Sequence, residues 1–325
     1  MKHKLSITIT ILAMFLAIQF LGLYVVDSYS PVQKQVINPE TGELENVSVN
    51  PLPKIFQTPE PKEEKDFWFF FIQIIPAFII AILLIIILSK YKLKFFMRLW
   101  FFVVIVLALY LTINAFLMQI PYQNMFIYSI IIAFILAIVK IYRPHFIFHN
   151  ITEFMIYPGI AAVFVPILNI WTVSLLLVLI SFYDVWAVWH SGIMQKMAKF
   201  QMNELKIFGG LMIPYFSEKV RNKIKKIKQK AKKAKTKKQK QKIRNKKVKI
   251  SLAILGGGDI VFPIIAAGVV MRTPGFSITD ALFVTFGALA GLTYLMIITK
   301  KNKYYPAMPF ITAGIFIGLI LSLFI

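Results

Sequence analysis

Apolar stretches, most about 20 residues long, alternate with polar segments along the chain. Nine are read, at roughly 5–26, 67–89, 97–118, 123–140, 154–169, 171–192, 249–271, 279–299 and 305–325. A helix of ~20 apolar residues matches a hydrocarbon core of ~30 Å. The pattern therefore predicts an all-α polytopic membrane protein with nine transmembrane helices. The fifth stretch is short and carries Pro158 and Pro166, so eight spans is the competing count. The first is longer than the apolar part of a typical secretory signal and no A-x-A site follows it, so it reads as a retained anchor.

Charge between the spans sets an orientation. Lys2 and Lys4 precede the first span, while Lys90, Lys92 and Lys94 follow the second. Lys140 and Arg143 follow the fourth, and Lys300, Lys301 and Lys303 follow the eighth. By contrast, loop 27–66 holds Asp27, Glu40, Glu43, Glu45, Glu60, Glu63, Glu64 and Asp66. Every second loop is basic, which puts the amino terminus in the cytoplasm and the carboxyl terminus outside. An eight-span count would break the alternation. The chain then divides into a six-span part at 1–192 with outer loop 27–66, a cytoplasmic loop at 193–248, and a three-span part at 249–325.

Composition narrows the chemistry. Of 325 residues 58% are hydrophobic, more than soluble domains carry, which suits a multi-pass protein of the cell membrane. No cysteine is present, so disulfides, thiolate metal sites and cysteine nucleophiles are excluded. His3, His145, His149 and His190 are too scattered for a metal centre, and no metal or cofactor is expected. The net charge of +23 sits mostly in loop 193–248, including the run Lys223 to Lys249. No aromatic side chain interleaves Arg221 to Lys249, so base stacking is unsupported; contact with anionic lipid is expected, and no nucleic acid. The stretch Phe200 to Phe216 is more amphipathic and reads as interfacial. Asn46-Val47-Ser48 fits a glycosylation acceptor, a triplet common by chance.

Two acids lie well inside spans: Asp184 in the sixth and Asp259 in the seventh. An ionisable group at such depth is costly, so a functional role is the default reading. From their distances to the span ends, both sit ~12–15 Å below the same face. Two carboxyls sharing a dry site share a proton: the ionised one can activate water while the protonated one polarises a carbonyl. Read alone, the pair equally fits helix-to-helix hydrogen bonds or a proton relay. Asp259 ends the run Gly256-Gly257-Gly258-Asp259, which removes bulk and weakens the helix beside the carboxyl. Tyr183 precedes Asp184, either as a hydroxyl partner of the pair or substrate, or as an aromatic of the bundle. Pro306-Ala307-Met308-Pro309 opens the ninth span, either as irregular backbone lining a cavity or as a rigid helix start.

Tyr-Asp in span six, G-x-G-D in span seven and Pro-Ala-x-Pro before span nine resemble, in that order, the presenilin and signal peptide peptidase family. Each motif alone is weak; the ordered trio, with the long polar loop between the two Asp spans, covers nearly the whole chain. The resemblance implies an intramembrane-cleaving aspartyl protease with Asp184 and Asp259 catalytic and the segment Pro306, Ala307 and Met308 shaping the site. Single-span proteins or transmembrane peptides would be its substrates. The third motif usually reads Pro-Ala-Leu, whereas Met308 stands here. That exchange conserves volume and bears on substrate preference rather than on the assignment. The absence of cysteine and the wealth of Ile and Lys suit a microbial, archaeal homologue, resembling signal peptide peptidase in self-sufficiency and presenilin in orientation. A coupled transporter is the competing function, although no internal repeat supports it. Prepilin-type peptidases share only the G-x-G-D motif, and a non-catalytic scaffold leaves both buried acids unexplained.

Overall fold

The computed structural model describes residues 5–37, 44–57, 61, 63–91, 93–120, 124–143, 145–191, 201, 207, 209–215, 251–299 and 305–324. Among them are nine α-helices: α1 (Leu5–Ser28), α2 (Glu64–Lys90), α3 (Lys94–Leu117), α4 (Met125–Tyr142), α5 (Phe146–Phe164), α6 (Ile170–Trp186), α7 (Gly258–Arg272), α8 (Ile278–Ile298) and α9 (Met308–Ser322). All but α7 and α9, seven in number, are long and apolar enough to cross a membrane. The chain is a mostly helical, multi-pass membrane protein. Lys2, Lys4, Lys92, Lys300, Lys301, Lys303 and loop 193–248, apart from 201, 207 and 209–215, lie outside the described residues.

Four strands depart from the all-helical expectation. Strands β1 (Val32–Ile37) and β2 (Leu44–Val49) pair antiparallel within the acidic loop. The second hairpin matters more for function: β3 (Gly210–Tyr215) pairs antiparallel with β4 (Ser251–Gly256), with Gly210 opposite Gly256 and Met212 opposite Ile254. The expected seventh span, 249–271, is thus part strand and part helix. Ser251–Gly256 is an apolar run compatible with either structure, and the glycines that follow are poor helix formers, so pairing with β3 decides. Likewise 210–215, expected to be interfacial, is sheet.

Span five also differs: α5 begins at Phe146, not near 154. The polar turn His149-Asn150-Ile151-Thr152-Glu153 looks like a loop in sequence. It is helical because each polar group has a partner inside the protein, and buried polar groups are tolerated when satisfied. Lys140 of α4 donates to Glu153 at 2.5 Å and to Thr152 at 3.1 Å.

The core is shared by both ends of the chain. Phe15, Ile18, Val25 and Val26 of α1 are buried with Ala161 of α5 and Ile260 and Ile264 of α7. Gly22 lets α1 approach Ile264, whose Cγ2 fills the space a side chain would take. Helix α8 starts on a capping box in which the Ser277 amide donates to Asp280 at 2.7 Å. Gly287 and Gly291 of α8 then face Gly314 and Gly318 of α9 so closely that any Cβ would run into backbone carbonyls. Two such spacings of four residues put the small residues on one helix face, the packing device of membrane helices. Helix α9 is thereby fixed against α8, which holds its first turn in place.

Candidate active site

Helix α9 begins at Met308, with Pro309 in its first turn. The first amides of a helix have no partner inside it and offer donors to an anion. Asp184, in the last turn of α6, uses them: the Met308 N–H donates to Asp184 Oδ2 at 3.0 Å, and the Ala307 amide also faces the carboxyl. Three residues earlier on α6, Ser181 Oγ donates to Thr312 Oγ1 at 2.9 Å. Thr312 follows Met308 by about one helical turn, so α6 and α9 are tied by two successive rungs. Asp184 is 8% exposed and Met308 3%.

Asp259 is the second residue of α7, where the strand ends and the helix begins. Gly256 lies against it: its amide is a partner of the carboxyl, and a Cβ there would sit 3.1 Å from Oδ2. Gly257 lies under the ring of Tyr157, where a Cβ would meet Cε1 at 2.9 Å and the hydroxyl at 3.1 Å. Gly258 is less confined, its nearest neighbour being the Phe262 ring at 3.6 Å. Gln19 of α1 donates to the carbonyl of Ile260 at 3.0 Å, and Pro263 interrupts the hydrogen-bond ladder of α7 at the same turn.

The two carboxyls lie near enough to interact electrostatically. The structure thus brings together Asp184, Asp259, Gly256, Ala307 and Met308, with Gly257 behind them and Pro306 buried in the approach to α9. Tyr183 is 43% exposed, its ring tilted against Trp186 at 6.3 Å, and it too lies near enough to Asp184 to interact electrostatically. Among the described residues no group of three or more His, Cys, Asp or Glu could hold a metal. A cavity of about 550 Å³ opens at the far end of α7, around Asn169, Trp171 and Arg272. By helical rise it is roughly 20 Å from Asp259, and neither carboxyl lines it.

A family model described as signal-peptide peptidase, presenilin aspartyl protease matches residues 53–325. The chain belongs to this family. Membership indicates a presenilin-type intramembrane aspartyl protease. Two solved structures of a presenilin family intramembrane aspartate protease share the fold. One, from a C222 crystal, is 15% identical with a TM-score of 0.56, covering 97% of this chain and 98% of its own. The other, from a P2 crystal, is 16% identical with a TM-score of 0.56, covering 96% and 95%. Compared by sequence with curated proteins, the chain finds no match.

In this family member the motifs are surrounded by groups that the sequence did not single out. Glu153 is 2% exposed; it pairs with Lys140, accepts from the Gly210 amide at 3.2 Å, and accepts from the Tyr157 hydroxyl. Asn150 donates to Met212 O at 2.8 Å and accepts from Met212 N at 3.0 Å. The available signal was spacing: positions 149, 150, 153 and 157 lie on one face of a helix.

Proposed function

We propose that the protein hydrolyses peptide bonds within transmembrane segments, using Asp184 and Asp259 as a general acid/base pair on water. One observation carries this reading: the backbone of the third motif donates to the carboxyl of the first, beside the carboxyl of the second. Three short motifs scattered along a membrane chain have no packing reason to converge on two acids. One carboxylate takes the proton of the attacking water, and its protonated partner polarises the scissile carbonyl and later supplies the proton to the leaving amine. Gly256 and Gly257 keep the floor of the site low, so that a peptide backbone can approach Asp259. Tyr183, half-exposed and beside Asp184, is placed to touch substrate or the pair.

The peptide must be extended to be cut, because an intact helix shields its carbonyls. Met212 uses both its N–H and C=O on Asn150, so Met212 and Ile254 are a non-hydrogen-bonded pair of the hairpin. The N–H and C=O of Ile254 therefore point to the other edge of β4, where no partner is found among the described residues. An extended substrate adds there as a third strand, and β4 leads it into Gly256 and Asp259.

Nine spans, a cytoplasmic amino terminus, an outside carboxyl terminus, the division at 192 and 248, and residence in the cell membrane complete the proposal; the charge alternation supports them. Contact of the basic loop with anionic lipid is part of the same proposal, and its excess of Lys and Arg supports it. The test is purified protein in lipid with a labelled single-span peptide. Wild type should cut it. Asp184→Asn, Asp259→Asn and the double variant should all fold and all fail equally, since the pair acts as a unit. Substantial cleavage by either single variant would sink the assignment and leave transport as the reading to pursue.

A further inference from the structure

Strand β3 has an outer edge too, and it is not free. By the alternation that Met212 fixes, the outward-facing row of β3 is Gly210, Met212 and Pro214. Gly210 donates to Glu153 at 3.2 Å, and its carbonyl lies 2.8 Å from His149 Nε2. Its φ of 151° suits glycine, and few other residues could turn both groups toward α5 this way. Met212 is held by Asn150, whose amide gives and takes one hydrogen bond as the backbone of a neighbouring strand would. Pro214 has no N–H to offer. Every outward position of β3 is thus either occupied by a side chain of α5 or lacks a donor.

We propose that His149, Asn150 and Glu153, with Lys140 and Tyr157, are positioning residues that seal the β3 edge and lock the register of the hairpin, so that an extended substrate is presented to Asp259 from β4 alone. The proposal rests on the protease reading above. An unsealed strand edge is a template for any extended peptide, and a docked strand needs a fixed register if one bond is to be cut. The same residues reach the catalytic end directly. Glu153 accepts from Tyr157, whose ring lies on Gly257, two residues before Asp259. Lys140 anchors Glu153 and balances its charge, both side chains being no more than 3% exposed. The contacts of α5 therefore fix β3 and the Gly257 turn together, and β4 lies between them.

Product mass spectrometry with steady-state kinetics tests this on the full protein in lipid, using a labelled single-span peptide. Asn150→Ala should lower kcat by roughly tenfold, the scale of one or two lost hydrogen bonds, with KM changed far less. It should also add products cut two residues to either side of the main bond, because strands slip in steps of two without turning their side chains over. Tyr157→Phe, which keeps the ring and removes only the hydroxyl, should show the same broadening more weakly and serves if the alanine variant does not fold. Asn150→Gln should restore part of the wild-type pattern. Variants that lose thermal stability but cut a single unchanged bond at wild-type kcat would overturn the inference. Failure of wild type to cut at all, or cutting by Asp259→Asn, would instead overturn the protease reading.

Discussion

The Met308 amide donates to Asp184 at 3.0 Å, joining positions 124 residues apart. That bond makes the start of α9 part of the catalytic end of α6, although the Met308 side chain supplies none of it. The side chain is itself buried, in the same turn that meets Asp184. Met308→Leu should therefore retain activity within about twofold, because volume and apolarity are kept. Met308→Asp should abolish cleavage, since it buries a charge beside a carboxyl. Rates near wild type for the aspartate variant would place this segment away from the chemistry.

The glycines before Asp259 separate into confined and open positions. Gly257→Ala would put its Cβ 2.9 Å from a Tyr157 ring that is held in place through Glu153. Something must shift, and cleavage should fall by at least about tenfold, equivalent to ~1.4 kcal/mol in the barrier. Gly258→Ala would meet only the Phe262 ring at 3.6 Å, an ordinary contact, and should cut within about twofold of wild type. Equal losses in the two variants would mean that backbone freedom, and not the Tyr157 contact, makes glycine necessary at 257.

These positions also mark what the sequence could and could not disclose. Asp184, Asp259 and the proline-flanked Ala307-Met308 were legible because their meaning is local: an acid inside an apolar run, glycines before an acid, prolines before a helix. The apolar runs that became α1, α2, α3, α4 and α8 were legible to within a few residues, because a bilayer asks for helices of that length. The strand at Ser251–Gly256 was not, since an apolar run of six residues followed by a helix carries no period that separates the two structures. Its partner, Gly210–Tyr215, lies about 40 residues away, and no local propensity announces the pairing. Lys140 reads as a loop charge after span four, because its buried pairing with Glu153 exists only in three dimensions.

Helix α9 stands where it does because α8 holds it. Gly314→Ala would drive a Cβ into the carbonyl of Gly287, and backbone cannot give way as a side chain can. Overpacking of this kind costs about 1–3 kcal/mol. Thermal unfolding should show the loss, and cleavage should fall further than stability alone explains, since displacing α9 carries the Met308 amide away from Asp184. A variant that loses stability yet keeps the wild-type rate at low temperature would uncouple the glycine contact from the site.

The Lys140–Glu153 pair gives a sharper energetic expectation. Removing one member of a buried pair leaves the other charge uncompensated, at a cost of about 3–5 kcal/mol. Lys140→Met should therefore lower the unfolding temperature markedly. Lys140→Met combined with Glu153→Gln should recover part of that loss, because the glutamine needs no counter-charge and still offers an acceptor to Tyr157 and Gly210. Additive losses in a double-mutant cycle would show that the two side chains do not act as a pair.

The proposed orientation of the membrane spans predicts which substrates are taken. A cysteine introduced at Ser48 should react with an impermeant thiol reagent outside intact cells, and one at Thr236, which lies outside the described residues, should not. No native cysteine confuses that assay. If so, the hairpin formed by β3 and β4 opens toward the cytoplasm, because loop 193–248 joins its strands or adjoins them. A peptide adding to β4 has a direction, set by backbone hydrogen bonds and by the fixed sides from which water attacks and the proton is given. With the amino terminus inside, the enzyme should prefer single spans whose own amino termini are outside, as the resemblance to presenilin implies. The cut should fall in the cytoplasmic half of the substrate span, ~12–15 Å from that face by helical rise. Gly or Pro near the bond should speed it, because unwinding precedes attack. The measurement is product mass spectrometry on two substrates identical in span and opposite in orientation. Preferential cleavage of the one whose amino terminus is inside would reverse the orientation while leaving Asp184 and Asp259 untouched.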